Sequence, residues 1–548
     1  MTLRIRWLGR VRYQDADALQ HALWRGAADD YLLLLEHPHV YTLGVRADPN
    51  HVLVEPEAVG AELVRADRGG DVTYHGLGQL VGYPILTVAR PPALPDTAAY
   101  VHAVEQLVID AVGDLGLAGV SRLDGYPGVW VGVHNGRPRK LAAIGVRLSK
   151  RRSLHGFALN VDPDMAMFGH IVPCGIADYD VTSLAAEGID VPMSDVVDAV
   201  AARAAARWGS GDVERADVAW RVAAEDLAPF TREGSGRMLV RLSAAGVDPA
   251  QARPIQQRKP EWLRAKVHLG PAQRDLRRTL RSLDLVTVCE EAGCPNLSEC
   301  WADGTATFMI NGDRCTRACG FCLVDTRHPE PPDPDEPRRV AESVARMGLA
   351  HAVVTAVARD DLPDGGAAGF AATIGAIRAR CPGTAVEVLI PDCKGDPAAL
   401  KAVFAARPDV LNHNIETVAR LQRAVRPSAS YARSLAVLSR AAEAGLTVKS
   451  GLIVGMGETD DEVLGALADL RSVGADIVTI GQYLRPTLRH LPVARWVPPE
   501  TFAFFQRRGE ALGIPHVQSS PLTRSSYHAR QAATSAGGTT VATAATSI

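Results

Sequence analysis

The sequence predicts two domains of different class: an α+β domain over residues 1–212, and a parallel β/α barrel or part of one over 237–531. In the first half, alternating β-branched segments mix with helical ones. They include two paired runs, 128–133 and 140–146, around His134-Asn135-Gly136. Asn-Gly tolerates the positive φ angles of a tight hairpin turn, so a β-hairpin is expected there. In the second half, short apolar runs recur at 351–357, 385–391, 409–416, 447–457 and 476–484, at intervals of 24 to 38 residues. Amphipathic helix candidates such as 431–445 and 460–474 lie between them. Strands alternating with helices at this spacing build a parallel sheet. Between the halves, residues 213–236 are charged and end in Glu233-Gly234-Ser235-Gly236, which reads as a linker. Residues 532–548 are rich in Ala, Thr, Ser and Gly and read as a disordered tail.

The 548 residues suffice for three or four units of about 150 residues each. With 47% hydrophobic and 22% charged residues the chain is globular, and at 5% aromatics its cores must rest on Ala, Val, Leu and Ile. A net charge of −3 provides no basic field, so neither nucleic acid nor membrane is expected as a partner. No apolar run approaches the roughly 18 residues of a membrane helix; Tyr31-Leu32-Leu33-Leu34-Leu35 stops at Glu36. Residues 1–10 lack the apolar stretch of a secretory signal, and a soluble, cytoplasmic protein is expected.

The cysteines carry the chemical signal. Of nine, Cys174 stands alone in the first half and six fall between Cys289 and Cys322. Clustered cysteines in a cytosolic chain bind metal or do thiol chemistry more often than they form disulfides. Cys315, Cys319 and Cys322 form C-x3-C-x2-C. Three thiolates on one loop can hold three irons of a cubane cluster and leave the fourth open to an external ligand. Cys289, Cys294 and Cys300 form a second set, C-x4-C-x5-C. Zinc is the alternative, with a zinc-holding scaffold as its non-enzymatic form. Neither spacing has the paired C-x2-C arrangement usual for zinc, and no histidine sits at a customary offset. Cys381 and Cys393 match no ligand motif and read as buried thiols.

Residues 256–530 resemble lipoyl synthase, a radical S-adenosylmethionine enzyme. The resemblance rests on Lys259-Pro260-Glu261-Trp262-Leu263-Arg264, both cysteine sets, Arg359-Asp360-Asp361-Leu362-Pro363-Asp364-Gly365-Gly366 and Val386-Glu387-Val388-Leu389-Ile390-Pro391-Asp392. Asn412-His413-Asn414-Ile415-Glu416-Thr417, Gly481-Gln482-Tyr483-Leu484 and Arg524-Ser525-Ser526-Tyr527 complete it. It implies two 4Fe–4S clusters and S-adenosylmethionine. Cys315, Cys319 and Cys322 would hold the cluster that binds S-adenosylmethionine. Cys289, Cys294 and Cys300 would hold an auxiliary cluster with a serine as fourth ligand, assigned to Ser526 with Ser525 the alternative. Asp361, Gly365, Gly366, Asn412 and Glu416 would line the S-adenosylmethionine pocket. The implied reaction inserts sulfur at positions 6 and 8 of a bound octanoyl chain, with a low-potential electron donor as partner.

In the first half, Cys174 lies in Ile171-Val172-Pro173-Cys174-Gly175-Ile176, where Pro and Gly impose a bent segment that can present a sulfur. A nucleophilic thiol needs a lowered pKa, and an ammonium such as that of Lys140 stabilises the thiolate. Chemistry alone leaves the bland reading open, that of a buried thiol and a solvated lysine. The half resembles octanoyl-acyl carrier protein:protein N-octanoyltransferase, a relative of lipoate and biotin protein ligases. The matching text is His37-Pro38, Tyr41-Thr42-Leu43-Gly44, Arg68-Gly69-Gly70-Asp71-Val72-Thr73-Tyr74-His75-Gly76, Lys140 to Val146, His155-Gly156-Phe157-Ala158-Leu159-Asn160, Cys174 and Val181-Thr182-Ser183-Leu184. Leu77 stands where the family usually has proline.

This second resemblance implies a ligase-like α+β fold with Cys174 as acyl-thioester nucleophile and Lys140 as the residue that lowers its pKa. Arg68, Gly69, Gly70, Asp71, Val72, Thr73, Tyr74, His75, Ala143, Ile144, Gly145, Gly156, Phe157 and Ala158 would shape the octanoyl tunnel. The implied partners are octanoyl-acyl carrier protein, the lipoyl domains of 2-oxoacid dehydrogenase complexes and the glycine cleavage H protein. The two implied activities are consecutive steps. The alternatives are an ATP-dependent lipoate ligase in the first half, and a radical enzyme acting on another substrate in the second.

Overall fold

Two compact units, Met1–Val218 and Ala219–Ile548, make up the computed structural model. It describes residues 1–89, 95–175, 178–220, 235–263 and 305–536. The strands of the first unit are β1 (Leu3–Arg10), β2 (Asp30–Glu36), β3 (Val40–Leu43), β4 (Glu62–Arg65), β5 (Val72–His75), β6 (Gln79–Ile85), β7 (Val120–Leu123), β8 (Tyr126–Val131), β9 (Arg139–Ser149), β10 (Arg152–Asn160), β11 (Asp180–Val181) and β12 (Val213–Arg215). Nine of them form one mixed sheet in the order β12-β1-β2-β6-β10-β9-β8-β7, with β11 paired to β9. The other three form a small sheet, β4-β3-β5.

The leucine run of β2 is buried throughout, because β2 lies inside the large sheet and both its faces are covered. The helices Thr97–Asp114 and Met193–Trp208 contribute Leu107, Val108, Val197 and Val200 to the main core, which Trp7, Val129 and Phe157 complete from the sheet. Few aromatics are needed, as expected.

Two expectations for this unit need correction. Residues 213–215, read as linker, are strand β12, paired in parallel with β1 (Leu3 opposite Val213). The edge is extended by the Ala216 and Val218 N–H groups, which donate to the Ile5 and Trp7 carbonyls at 3.0 and 2.8 Å. Charge did not exclude the sheet, since Glu214 pairs with Arg4 and Arg6. The β8–β9 hairpin exists, but Asn135-Gly136 does not form a two-residue turn. The chain makes a 3-10 turn, Val133–Asn135, between Gly132 and Gly136, both left-handed at φ 78° and 74°. The tight turn is the next one, at Lys150 and Arg151, with φ 48° and 65° and no glycine.

The second unit is built on seven strands, β13 (Thr305–Ile310), β14 (His351–Ala356), β15 (Ala385–Leu389), β16 (Val410–Asn412), β17 (Thr447–Val454), β18 (Ile477–Gln482) and β19 (His516–Ser519). They pair in chain order and every pairing is parallel, the sheet of a partial barrel. The five central strands fall where the apolar runs predict. The helices Tyr431–Glu443 and Asp460–Ser472 follow two of them. The second opens on a capping box between Thr459 and Glu462. Both end before a left-handed glycine, Gly445 and Gly474.

Register shows a difference between the two faces of this sheet. Thr305, His351, Glu387, Asn412, Lys449 and Thr479 fall on one face in the aligned pairs. All six are buried. Phe308, Val354, Val388, Leu411, Val448 and Ile480 fall on the other, which the helices cover. One face of the barrel sheet is thus an apolar packing surface, and the other sets buried polar groups among apolar ones such as Val353, Val410 and Ile477. On that second face Lys449 donates to Glu387 at 2.8 Å, with both side chains fully buried. The helix Ser235–Ala244 occupies the last residues of the expected linker, and Ala529–Ser535 continues past 532, with Ala532 buried, so the expected tail begins inside a helix. Residues 537–548 lie outside the described residues.

Candidate active sites

In the first unit a cavity of about 350 Å³ is lined by residues of both sheets. Cys174 and Lys140 both line it, with Arg68, Gly69, Gly70, Asp71, Thr73, His75, Ala143, Ile144, Gly145, Gly156, Phe157 and Ala158. Val72 and Tyr74 do not. Side chains alternate along a strand, so β5 turns Thr73 and His75 to the cavity and buries Val72 and Tyr74 in a small core with Tyr41, Leu43 and Phe168.

The nucleophile candidate is held in an unusual backbone state. Cys174 has φ 58° and ψ 17° inside the turn Pro173–Gly175. Non-glycine residues pay for left-handed geometry, and such strain persists only where the surroundings impose it. They do: Ile171 bridges Val52, the Val172 N–H donates to the His51 carbonyl at 2.8 Å, and the Gly175 N–H donates to the Val172 carbonyl at 3.0 Å. Lys140 is buried with its Nζ 4.8 Å over the Trp130 ring. Among the described residues its ammonium has no carboxylate partner. A second cation, Arg68, lines the same cavity as Cys174. Arg68 is held by the carbonyls of Thr42 and Asp71, at 2.6 and 2.8 Å. The sequence marked Arg68 as a tunnel residue; that its charge shares one cavity with the thiol is visible only in the fold.

The two histidines of the lining are neutral, whereas Arg46 and Asp71 add charge to it. Burial pushes His155 down to about 3 and His75 well below the ordinary range. Both rings are committed, His155 to Asp67 at 2.5 Å and His75 to Gln79 at 2.8 Å. Burial raises the phenol of Tyr13, whose hydroxyl has no hydrogen-bond partner among the described residues and lines the cavity. Sequence reading missed Tyr13, Tyr83, Arg46 and His155 as lining residues, since nothing in their spacing connects them to Cys174.

In the second unit Cys315, Cys319 and Cys322 lie on the loop after β13, free of disulfides. The loop is pinned at its middle. Arg317 donates to both carboxylate oxygens of Asp360 at 2.7 Å and to the buried Asp392 at 2.5 Å. Its backbone N–H points to the Cys315 sulfur at 3.4 Å. Burial pushes the Cys319 thiol up to about 12, and the charges of Cys322 and Cys315 add to the rise. Three free thiols on one anchored loop, which would repel one another as thiolates, are a donor set that a cationic cluster stabilises, and they fit one. Cys289, Cys294 and Cys300 lie outside the described residues.

The C-terminal segment crosses the sheet face that carries the buried polar groups. Thr307 of β13 donates to the Ser526 hydroxyl at 2.9 Å, and Asn414 donates to the Ser525 hydroxyl at 2.8 Å. Gly481 admits this segment, since a Cβ there would stand 2.0 Å from the Thr523 carbonyl. Asn412 is fully buried, and neither its amide oxygen nor its nitrogen has a partner among the described residues. Asn414 Oδ1 is orphaned in the same way. Buried amides without partners fit a polar ligand. Glu416, left-handed at φ 64°, accepts from Asn414 at 3.0 Å. Asp361 is occupied by Arg359 at 2.8 Å. Gly365 and Gly366 have packing reasons of their own: a Cβ would meet Cys393 at 3.0 Å and Asn311 at 2.6 Å. Cys393 is buried as expected and Cys381 half-buried.

Comparison with known proteins gives these geometries a context. Residues 247–294 match the N-terminal domain of lipoyl synthase of the radical SAM family, and residues 309–470 match the radical SAM superfamily. Lipoyl synthase of Kineococcus radiotolerans is 55% identical over 294 residues, covering 54% of this chain and 87% of that protein. The chain belongs to the lipoyl synthase family. Lipoyl synthase of Rubrobacter xylanophilus is 58% identical over 275 residues, 50% of this chain and 86% of the relative. Residues 12–205 match the lipoyl protein ligase A/B catalytic domain. A bipartite lipoate protein ligase of Thermoplasma acidophilum is similar in structure at 18% identity, covering 39% of this chain and 86% of that one, with a TM-score of 0.32.

This lipoyl synthase family chain is therefore an enzyme that carries a lipoyl ligase-type catalytic domain ahead of its radical SAM domain. The family takes S-adenosylmethionine and two 4Fe–4S clusters, and the described thiols fit the first of these clusters. No described helix is long and apolar enough to cross a membrane.

Proposed function

We propose that the chain performs two consecutive steps on one substrate. The first unit moves an octanoyl group from acyl carrier protein to a lipoyl-domain lysine through a Cys174 thioester, and the second inserts sulfur at C6 and C8 of the bound chain. The observation that supports the first step is that Cys174 and Lys140 line a single cavity, with Arg68 as a second cation in the same lining.

The protons can be followed through this step. Cys174 thiolate attacks the octanoyl thioester carbonyl, and the carrier sulfur leaves with a proton from the Lys140 ammonium. The acceptor amine then attacks the Cys174 thioester. Its nitrogen gives a proton to the neutral Lys140 as the C–S bond breaks, which restores thiolate and ammonium. The Tyr13 hydroxyl stands free in the cavity to donate to a bound carbonyl. Apolar walls from Ile144, Phe157 and Ala158 suit an unbranched acyl chain.

In the second unit, Cys315, Cys319 and Cys322 would hold a cluster on which S-adenosylmethionine is cleaved to a radical able to take hydrogen from an unactivated C–H bond. Arg317 holds their loop, and Asn412 and Glu416 would bind the ligand. Ser526 would complete the auxiliary site, with Ser525 as the alternative. Acyl carrier protein, lipoyl domains including the H protein, and a low-potential reductant are the proposed partners.

The test is intact mass spectrometry of an apo lipoyl domain incubated anaerobically with the reconstituted chain and octanoyl-carrier protein. An octanoyl mass is expected without S-adenosylmethionine and reductant, and a dithiolated mass with them. Transfer that requires ATP and free acid instead of a thioester would make the first unit a ligase. Lys140→Ala is expected to slow transfer about 100-fold.

A further inference from the structure

The scheme above leaves one proton without an owner. The acceptor lysine arrives as an ammonium, and it must lose a proton before its nitrogen can attack. Lys140 cannot take that proton and also the one released when the C–S bond breaks. The base for the first proton must lie near Cys174 and communicate with solvent.

Among the histidines of this region, His75 and His155 line the cavity but are buried, pushed down in pKa and bonded at their ring nitrogens. His51 differs. Its side chain is 30% exposed, and its Nδ1 lies 2.7 Å from Asp71 Oδ2. The other oxygen of Asp71 accepts from the backbone N–H groups of Val72 and Asp48, at 2.6 and 3.3 Å, so the carboxylate is fixed in place. An ionised carboxylate only accepts, so the proton on the His51 ring sits on Nδ1 and Nε2 presents its lone pair. Nε2 has no hydrogen-bond partner among the described residues.

The pair also lies against the nucleophile's own turn. A Cβ on Gly175 would stand 2.6 Å from Asp71 Oδ2 and 3.4 Å from His51 Cε1. His51 and the turn are tied by the Val172 N–H bond to the His51 carbonyl and by the Val52–Ile171 bridge. A carboxylate that orients an imidazole next to a nucleophile is the arrangement of a general base with its positioning group.

We propose that His51, oriented by Asp71, is the general base that deprotonates the acceptor lysine in the second half of the transfer; this rests on the thioester reading above. The lysine ammonium gives one proton to His51 Nε2, which passes it to water through its exposed edge. The amine attacks the thioester carbonyl, the second proton goes to Lys140, the C–S bond breaks and Cys174 returns as thiolate. The net release is one proton per turnover, and no other reactant is needed. Acyl-enzyme formation uses Cys174 and Lys140 and makes no demand on His51.

Single-turnover experiments on the full chain separate the two halves. The octanoyl adduct on Cys174 is followed by intact mass after mixing with octanoyl-carrier protein, and its decay is followed after adding apo lipoyl domain. In His51→Ala and His51→Gln the ratio of the aminolysis rate to the acylation rate is expected to fall about 100-fold. Added imidazole is expected to restore part of that ratio in His51→Ala, which a purely structural role would not allow. An unchanged ratio overturns the proposal, as does a ratio that falls without rescue by imidazole. Absence of any Cys174 adduct in the unsubstituted chain overturns the thioester reading itself, and this proposal with it.

Discussion

The two units both use thiols, and they prepare them in opposite ways. In the first, one sulfur sits in a strained turn with φ 58° and shares a cavity with a buried lysine and a buried arginine. In the proposed transfer that single side chain is the reactive one, and the protein supplies both acid and base. In the second, three sulfurs sit on a loop locked by Arg317, and burial drives Cys319 toward the thiol form. In the proposed reading such a loop has no reactivity of its own to tune; its work would be to supply donors to a cluster. Strain and nearby cations mark a residue that does chemistry, whereas mutual repulsion among buried donors marks a site that holds a cofactor.

The sharpest way to break this comparison is to exchange the losses. Cys174→Ala is expected to lower octanoyl transfer by about four orders of magnitude and to leave sulfur insertion into a pre-octanoylated domain intact. Cys319→Ala is expected to do the reverse. If either variant abolishes both mass changes, the two sites are not independent.

Next comes the loop anchor. Arg317→Met leaves the buried Asp392 carboxylate with the Lys394 backbone N–H at 3.2 Å and, as its counter-charge, Arg433 at 3.6 Å. A stranded charge of this kind costs about 3 kcal/mol. The second unit is expected to show faster hydrogen exchange and less iron retained per chain, while the first unit is unchanged.

Acid sharpens the contrast in a different way. Burial holds His37 at about 4 and His155 at about 3 in the first unit, and His413 at about 4 in the second, against an ordinary 6.5. Below 6.5 the unfolded chain binds protons that the folded one refuses, so stability is full above that pH and falls as pH drops toward 4. Each such histidine contributes about 3 kcal/mol to the loss. The first unit has more of them, so its hydrogen exchange is expected to accelerate first between pH 6.5 and 4. Glu387 and Asp392, whose carboxyls are held low by Lys449 and Arg317, weaken the second unit only below the ordinary carboxylate range. Equal acceleration in both units would contradict the assignment.

The smallest effect expected is at Gly175. Its φ of 69° and the 2.6 Å approach of Asp71 both oppose a side chain. Gly175→Ala is expected to cost about 1–2 kcal/mol in the first unit and to slow acylation of Cys174, with no effect on the second.

Much of this was legible from residue order. Strand–helix alternation located five of the seven barrel strands, because buried parallel strands are continuous apolar runs. It missed β13 and β19, which stand alone at the ends of the repeat. C-x3-C-x2-C marked the loop proposed to hold a cluster, because ligands that must meet on one cluster have to be close in the chain. Cys174 between Pro and Gly announced a bent segment.

Other features required the fold. That Val72 and Tyr74 leave the cavity follows from which face β5 turns inward. That 213–215 is a strand depends on an open edge of β1 more than two hundred residues earlier. Arg68 in one cavity with the thiol, the His51–Asp71 pair against Gly175 and the two serines reaching Thr307 and Asn414 are all meetings of distant segments. Spacing encodes what one segment must do by itself, in periodicity, turns and local ligand sets. Packing alone decides which segments meet, and so which charges, bases and orphaned amides share a site.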